Sequence, residues 1–397
     1  MNTPTYPKNS SYQLPLLELP DENLRLATAD VSSPFQHQCV QIRGTRGIAT
    51  AELVNNLVSI NAPVAIGVSG GKDSQAAALA TIAYLDSVGH RGARILIHAD
   101  LGSVEWKASL TVCQSLATHL GLELVVVRRA AGDLMQRWEA RHASSIRRYA
   151  QLETITLILP WSTPSMRFCT SELKTHLILR ELRRRYPGQA VLNVTGERRQ
   201  EKSRAHRAVA DVGATGRTVT WRPILEWTEL ETFDFIQFCR LEPHVAYTQY
   251  GMSRVSCRFC ILAGLADLIA ASRVEETHDL YRRMVQLEIV STFGFQAGRW
   301  LADVAPHLLS ESMREEVLAS KRRAAHRVAL ERCLPKDILY VKGWPTRMLT
   351  DDEAAVLSTV RTSVSNLMGI QAQYLTVRNI HVRYAELLEA LATRRAA

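Results

Sequence analysis

Val64-Ala65-Ile66-Gly67-Val68-Ser69-Gly70-Gly71-Lys72-Asp73-Ser74 runs from a short β-branched stretch through two glycines into an alanine-rich segment, Asp73 to Ser87. That pattern predicts a strand, a tight loop and the start of a helix. Paired glycines let the backbone aim consecutive N–H groups at one anion. The helix N-terminus adds its positive end. Lys72 brings a mobile charge for phosphate oxygens, and the Ser69 and Ser74 hydroxyls donate further hydrogen bonds. Asp73 is out of place in an anion site unless it holds Mg²⁺ or caps the helix. The GxxxxGK[ST] spacing of the Walker loop is absent. The plain alternative is a glycine turn with a capping aspartate.

Strand and helix signals alternate outward from this loop. A helix-like segment precedes it near Thr50 to Ile60. Arg94 to Ala99 is a second apolar run, followed by a helical stretch from Val104 to His119. Leu122 to Val127 and Ala190 to Thr195 read as third and fourth strands, with a basic helix at Ser171 to Arg185 before the fourth. Thr218 to Leu225 reads as a fifth strand or an extended segment. This alternation predicts an α/β fold with a Rossmann-like, doubly wound parallel sheet. Ligands in such sheets sit beyond the carboxyl ends of the strands, where the loop falls. Three regions are expected: a polar N-terminal arm over 1–45, the α/β domain over 46–265 and a helical region over 266–397. In the last, Thr350 and Glu353 form a capping-box pattern ahead of Val356, Val360, Val364 and Leu367, and Gly369 marks the end.

The composition is that of a globular protein, with 46% hydrophobic and 22% charged residues in 397. The N-terminus has no basic start followed by an apolar stretch, and no apolar run reaches the ~18 residues of a membrane span. A cytoplasmic protein is expected. The seven cysteines are scattered apart from Cys257 and Cys260, which fits a reducing compartment and metal or redox chemistry at that pair. The net charge is +9, and 19 Lys or Arg face 8 Asp or Glu between Arg128 and Arg222. Such a block attracts nucleotides or nucleic acid; its plain alternative is a set of solvated helix faces, as for Arg183, Arg184 and Arg185.

Further segments carry polar residues at strand ends or helix starts. His98-Ala99-Asp100-Leu101-Gly102 ends the second strand. Asp100 there is a candidate for Mg²⁺ or ribose and His98 for the nucleotide, against helix capping and a core histidine. Met166-Arg167-Phe168-Cys169-Thr170-Ser171-Glu172-Leu173-Lys174 opens a helix, with Lys174 facing an anionic substrate. Gly196-Glu197-Arg198-Arg199-Gln200-Glu201 follows the fourth strand, and Arg198 suits the α-phosphate. Glu201 is set to pair with Arg204. Pro243-His244, Tyr247 and Ser253-Arg254-Val255-Ser256-Cys257-Arg258-Phe259-Cys260 complete the set.

The hexapeptide Ser69–Ser74 resembles the pyrophosphatase loop of the adenine nucleotide alpha hydrolase superfamily. The order of the other segments resembles the phosphoadenosine phosphosulfate reductase family, especially its phage- and plasmid-type members, and is similar to DNA phosphorothioation sulfurtransferases. The resemblance covers about 60 to 265. It implies ATP cleavage between the α and β phosphates, with Ser69, Gly70, Gly71, Lys72, Asp73, Ser74, His98, Asp100, Gly196, Glu197 and Arg198 around the nucleotide, and Lys72, Asp73 and Arg198 as the catalytic set.

Relatives with a four-iron cluster use a Cys-Cys pair and a Cys-x-x-Cys pair, whereas Phe168-Cys169 supplies one cysteine of the first pair. Cys169, Cys257 and Cys260 are then candidate ligands of a [4Fe–4S] cluster with one open iron, or of zinc with His244 or Cys239, or are free thiols. Arg167, Arg254 and Arg258 are expected to lower the thiolate pKa values. Cys39, Cys113, Cys239 and Cys333 read as packing residues. The C-terminal nucleophilic cysteine of true reductases has no match at Cys333. The expected activity is adenylation of an acceptor followed by sulfur transfer, with ATP, a tRNA or DNA substrate and a sulfur-donor protein as partners. Sulfonucleotide reduction and a nucleotide-binding regulatory or defence protein without turnover are the alternatives.

Overall fold

The structure, a computed structural model, describes residues 47–201 and 205–396. The proposed arm, Cys39, Lys202, Ser203 and Arg204 lie outside the described residues, so the expected Glu201–Arg204 pair does too.

The described residues open with α1 (Glu52–Ser59), β1 (Val64–Gly67), α2 (Lys72–Ser87), β2 (Arg94–Asp100), α3 (Lys107–Leu120), β3 (Glu123–Arg128) and α4 (Leu134–Ala150). A short turn α5 (Phe168–Thr170) runs through a π-turn over Ser171–Thr175 into α6 (His176–Arg185). Then come β4 (Val191–Val194), β5 (Ala210–Val212), β6 (Thr218–Trp221), α7 (Glu229–Phe238) and α8 (Val245–Thr248). Helices follow from there on: α9 (Leu265–Ser272), α10 (His278–Ser291), α11 (Glu311–Glu331), α12 (Asp351–Met368) and α13 (Val377–Ala396).

The six strands form one sheet in the order β3-β2-β1-β4-β6-β5. β1 pairs in parallel with β2 on one side and β4 on the other, with Ile66 opposite Leu96 and Val194. Chain order therefore reverses at β1, and the crevice this opens at the strand ends holds the loop after β1. The sheet is mainly parallel, as expected; β5 alone runs antiparallel, at the edge, with Asp211 opposite Thr220. The strand expected over Thr218 to Leu225 is β6 and stops at Trp221, before Pro223, and the helix expected from Val104 is α3, which starts at Lys107 after a 3₁₀ turn.

Both sheet faces are covered. α1, α2 and α7 pack on one, where Val54, Leu79, Leu192, Trp221 and Phe235 are buried. α6 covers the other, with Leu182 against Ile95, Ile97 and Val191. Ala76, Ala77, Ala78 and Ala80 let α2 sit deep in the first layer, so it is apolar nearly all round. A third core gathers Trp106, Trp138, Trp161 and Phe295, and a fourth joins the end of α4 to α12 and α13. In α12 the expected caps form: Thr350 Oγ1 accepts the Glu353 N–H at 3.2 Å, and Gly369 takes φ +65°.

Candidate functional site

The loop after β1 braces itself. Ser74 Oγ donates to the Gly71 carbonyl at 2.8 Å and accepts the Ser69 N–H at 3.1 Å. Gly70 adopts φ +75°, and a Cβ there would lie 3.0 Å from the Ser109 carbonyl. Gly196, just past β4, is pressed against the loop: a Cβ would meet the Asp73 carbonyl oxygen at 2.4 Å.

Charged side chains converge above this turn. Lys72 is 3% exposed. Its Nζ lies 3.2 Å from Glu229 and 3.5 Å from Asp73, and 5.1 Å from the ring centre of Tyr247. Burial opposes its charge, but Asp73, Tyr247 and Glu229 outweigh burial and raise its pKa. Arg198 is buried; its Nε donates to Asp73 Oδ1 at 2.5 Å and its Nη1 to Gln200 Oε1 at 2.7 Å. Tyr247 Oη accepts the N–H groups of Lys72 at 3.3 Å and Val255 at 3.2 Å. The cleft they enclose measures about 410 Å³. Ser69, Gly71, Lys72, Asp73, Ser74, Gly196 and Arg198 all line it; Gly70, between two of them in the chain, does not. Of its carboxylates, Asp73 offers oxygen donors of the type Mg²⁺ takes.

A second cavity of about 320 Å³ adjoins the cleft and contains Cys169, Cys257 and Cys260. Ser69, Ser74, Gly196, Arg254 and Val255 border both spaces. Arg167 and Lys174 add positive charge. Glu197 also lines it, held by Arg222 Nε at 3.2 Å. The cysteine environment corrects one expectation. Arg258 turns away to Glu276, at 3.4 Å, and burial together with Cys260 pushes the Cys257 thiol up rather than down.

The proposed fourth zinc ligands are corrected as well. His244 Nδ1 accepts the Ala246 N–H at 3.0 Å as the cap of α8, and its Nε2 faces Ser109 Oγ at 3.3 Å. Burial lowers its pKa to about 4. Cys239 lies in the core beneath α7. Among the described residues no three His, Cys, Asp or Glu side chains are gathered to hold a metal ion. The three thiols share a cavity without forming a ligand set. Cys113 is buried as expected, but Cys333 is exposed at the end of α11.

His98 and Asp100 are set apart, lining a different cavity of about 570 Å³. His98 is buried, with Nδ1 3.0 Å from the Val68 carbonyl and Nε2 3.3 Å from Glu105. Burial opposes its protonation, yet the Cys113 sulfur and the Glu105 carboxylate outweigh burial and raise its pKa to about 10. Asp100 accepts the Gly102 N–H at 2.6 Å and pairs with Arg128; these partners outweigh burial and hold its carboxyl below the usual range.

Much of the basic block is taken up internally. Arg184 pairs with Glu181, Arg185 with Glu123 and Arg137 with Glu172. Trp221 and Trp227 are core residues. Glu229, Phe233 and Tyr247 complete the Lys72 environment although nothing in their local sequence marks Glu229 or Phe233 for it.

Residues 63–263 match the phosphoadenosine phosphosulfate reductase domain. No curated protein matches the chain in sequence. Among solved structures, the Candida glabrata FMN adenylyltransferase with FAD and inorganic pyrophosphate is 14% identical over 50% of this chain and 55% of its own, at a TM-score of 0.32. This chain thus spans about half the length of that enzyme. The Candida auris phosphoadenylyl-sulfate reductase, a phosphate complex, is 12% identical over 53% of this chain and 98% of its own, at 0.33. The Campylobacter jejuni NH₃-dependent NAD synthetase is 12% identical over 70% and 89%, at 0.26. No helix among the described residues is long and apolar enough to cross a membrane. With its glycine loop after β1 at the sheet's reversal point and half its length matched by one domain, the chain belongs to the phosphoadenosine phosphosulfate reductase family of the adenine nucleotide alpha hydrolase superfamily.

Proposed function

We propose that the chain binds ATP in the loop cleft, adenylates an oxygen of an acceptor and passes sulfur to the adenylated position. The observation that carries this is the common wall: Ser69, Ser74, Gly196, Arg254 and Val255 border both the phosphate cleft and the thiol cavity. The loop N–H groups and Lys72 would hold the β and γ phosphates, and Arg198 would stabilise charge at the α-phosphate. Mg²⁺ held at Asp73 would offset phosphate charge. The acceptor oxygen attacks the α-phosphorus; the bond to the bridging oxygen breaks and pyrophosphate leaves with the electron pair. A sulfide sulfur from a donor protein then bonds the atom that carries this oxygen, and AMP departs with the oxygen and its bonding pair. Arg167, Lys174 and Arg254 favour an anionic acceptor, such as a nucleotide or a nucleic-acid strand.

The test is pyrophosphate release by anaerobically purified protein given ATP and, in turn, tRNA, DNA or a small sulfonucleotide. Release with one acceptor, abolished by Lys72→Ala, supports the reading. Folded wild-type protein that binds ATP tightly but releases nothing points to the regulatory alternative, and absence of ATP binding overturns the proposal.

One observation favours a second reading, sulfonucleotide reduction. Cys257 and Cys260 lie together beside the cleft. One thiolate would attack the sulfate sulfur, expelling the nucleotide phosphate; the other would displace sulfite and leave a disulfide. Sulfite release from phosphoadenosine phosphosulfate without ATP would favour it.

A further inference from the structure

Three residues beyond the matched segment hold the loop that carries Cys257 and Cys260. Asp267 accepts the Ser253 N–H and hydroxyl, both at 2.8 Å. The Glu276 carbonyl accepts from Arg258 Nη1 at 3.0 Å. Gln296 Nε2 lies 3.3, 3.1 and 3.0 Å from the carbonyls of Cys260, Ile261 and Ala263.

Gln296 is itself fixed in place. Its Oε1 accepts from Arg299 Nη1 at 2.8 Å, which turns the amide NH₂ toward the three carbonyls. Gln296 and Arg299 exchange backbone hydrogen bonds of 3.1 and 3.0 Å across a turn through Gly298, at φ +77°. Glu288, 0% exposed, accepts the N–H groups of Phe295, Leu301 and Ala302 on both flanks of that turn. Phe295 packs edge-on against Trp161, with ring centres 5.1 Å apart.

What this arrangement clamps is a tight turn. The Ala263 N–H donates to the Cys260 carbonyl at 3.0 Å, and the Leu262 N–H points at Cys260 Sγ at 3.4 Å. A donor aimed at the sulfur selects one side-chain direction, and a carbonyl row tied from outside keeps that donor in place. We propose that Gln296 is the positioning residue of the Cys260–Ala263 turn, so that the helical region directs Cys260 Sγ into the thiol cavity. Its importance for turnover rests on the proposed function; the positioning itself does not.

The test uses the full chain and iodoacetamide, with alkylation at each cysteine quantified by mass spectrometry. Cys169 is the reference inside the cavity but off the turn, and exposed Cys333 is the reference for reagent. Gln296→Met removes the donor and keeps the bulk; Gln296→Glu sets an acceptor against three carbonyls; Gln296→Lys restores donors. Loss of a hydrogen bond worth ~1 kcal/mol predicts that Cys260 alkylation relative to Cys169 rises about fivefold in the Met and Glu variants and returns toward wild type in the Lys variant. An unchanged ratio in folded Gln296→Met overturns the proposal, whether or not Gln296→Glu folds. ATP binding is measured in parallel, so a failure of the nucleotide reading shows separately from a failure at the turn.

Discussion

Arg198 Nε donates to Asp73 Oδ1 at 2.5 Å, tying the segment after β4 to the first turn of α2. This pair, with Lys72 against Asp73 and Glu229, puts cations where phosphates would lie but answers each with a carboxylate. Arg198→Ala leaves Asp73 facing the ligand with less compensation, and ATP affinity should fall by about 10- to 100-fold, the cost of a charge-assisted hydrogen bond. Asp73→Asn should tighten binding of metal-free ATP while shrinking the effect of Mg²⁺. Calorimetric titration with and without Mg²⁺ checks both; wild-type affinity indifferent to Mg²⁺ would undo the role given to Asp73.

Gly196→Ala should damage the cleft from behind. The added methyl meets backbone atoms of Asp73 at 2.4 and 2.5 Å, which cannot swing aside as a side chain would. Overpacking of this kind costs about 1–3 kcal/mol. Urea unfolding should show that loss, and nucleotide affinity should drop with it because the displaced atoms belong to the phosphate loop.

Tyr247→Phe removes one hydroxyl that satisfies two backbone N–H groups, those of Lys72 and Val255. Leaving buried donors unpaired costs about 1–3 kcal/mol. The expected outcome is reduced stability together with weaker ATP binding, read by denaturation and titration. Full retention of both would mean that the hydroxyl does not join the two loops.

His98 makes a pH signature. Its folded pKa, about 10, lies above the ordinary histidine value. The native state therefore holds a proton that the unfolded chain loses first, so the His98 contribution is full below about pH 6.5 and disappears as pH rises toward 10. Its size is on the order of a few kcal/mol. His98→Gln should flatten the alkaline decline in stability over that window, as followed by denaturant midpoints.

The strands nearest the loop were legible because their apolar runs are short, β-branched and bounded by glycine or polar residues. β5 was not: Ala-Asp-Val is three residues at an edge, with no alternation to read. α4 was missed although Asp133 caps it in a capping box and Leu134, Trp138 and Tyr149 are buried along it, because its many arginines make the segment polar as a whole. The loop between β1 and α2 was readable as a contiguous string, and Gly196 and Arg198, which share its cleft, as a motif at a strand end. Glu229 and Phe233 reach Lys72 through the packing of α7 on α2, a distance in sequence that no local pattern encodes. The thiol environment was misjudged for the same reason: sequence neighbours placed Arg258 by the cysteines, and the fold turned it toward Glu276.

α4 has its two ends in different cores. Trp138 belongs to the one beside the cysteine loop, whereas Tyr149 and the following Leu152, Ile155 and Leu157 are covered by α12 and α13. Cutting the chain after residue 263 would strip those four side chains of their cover and expose an oily strip on the truncated product. The matched segment is thus not a detachable module: expressed by itself it should precipitate, and any engineered fusion has to carry the tail along.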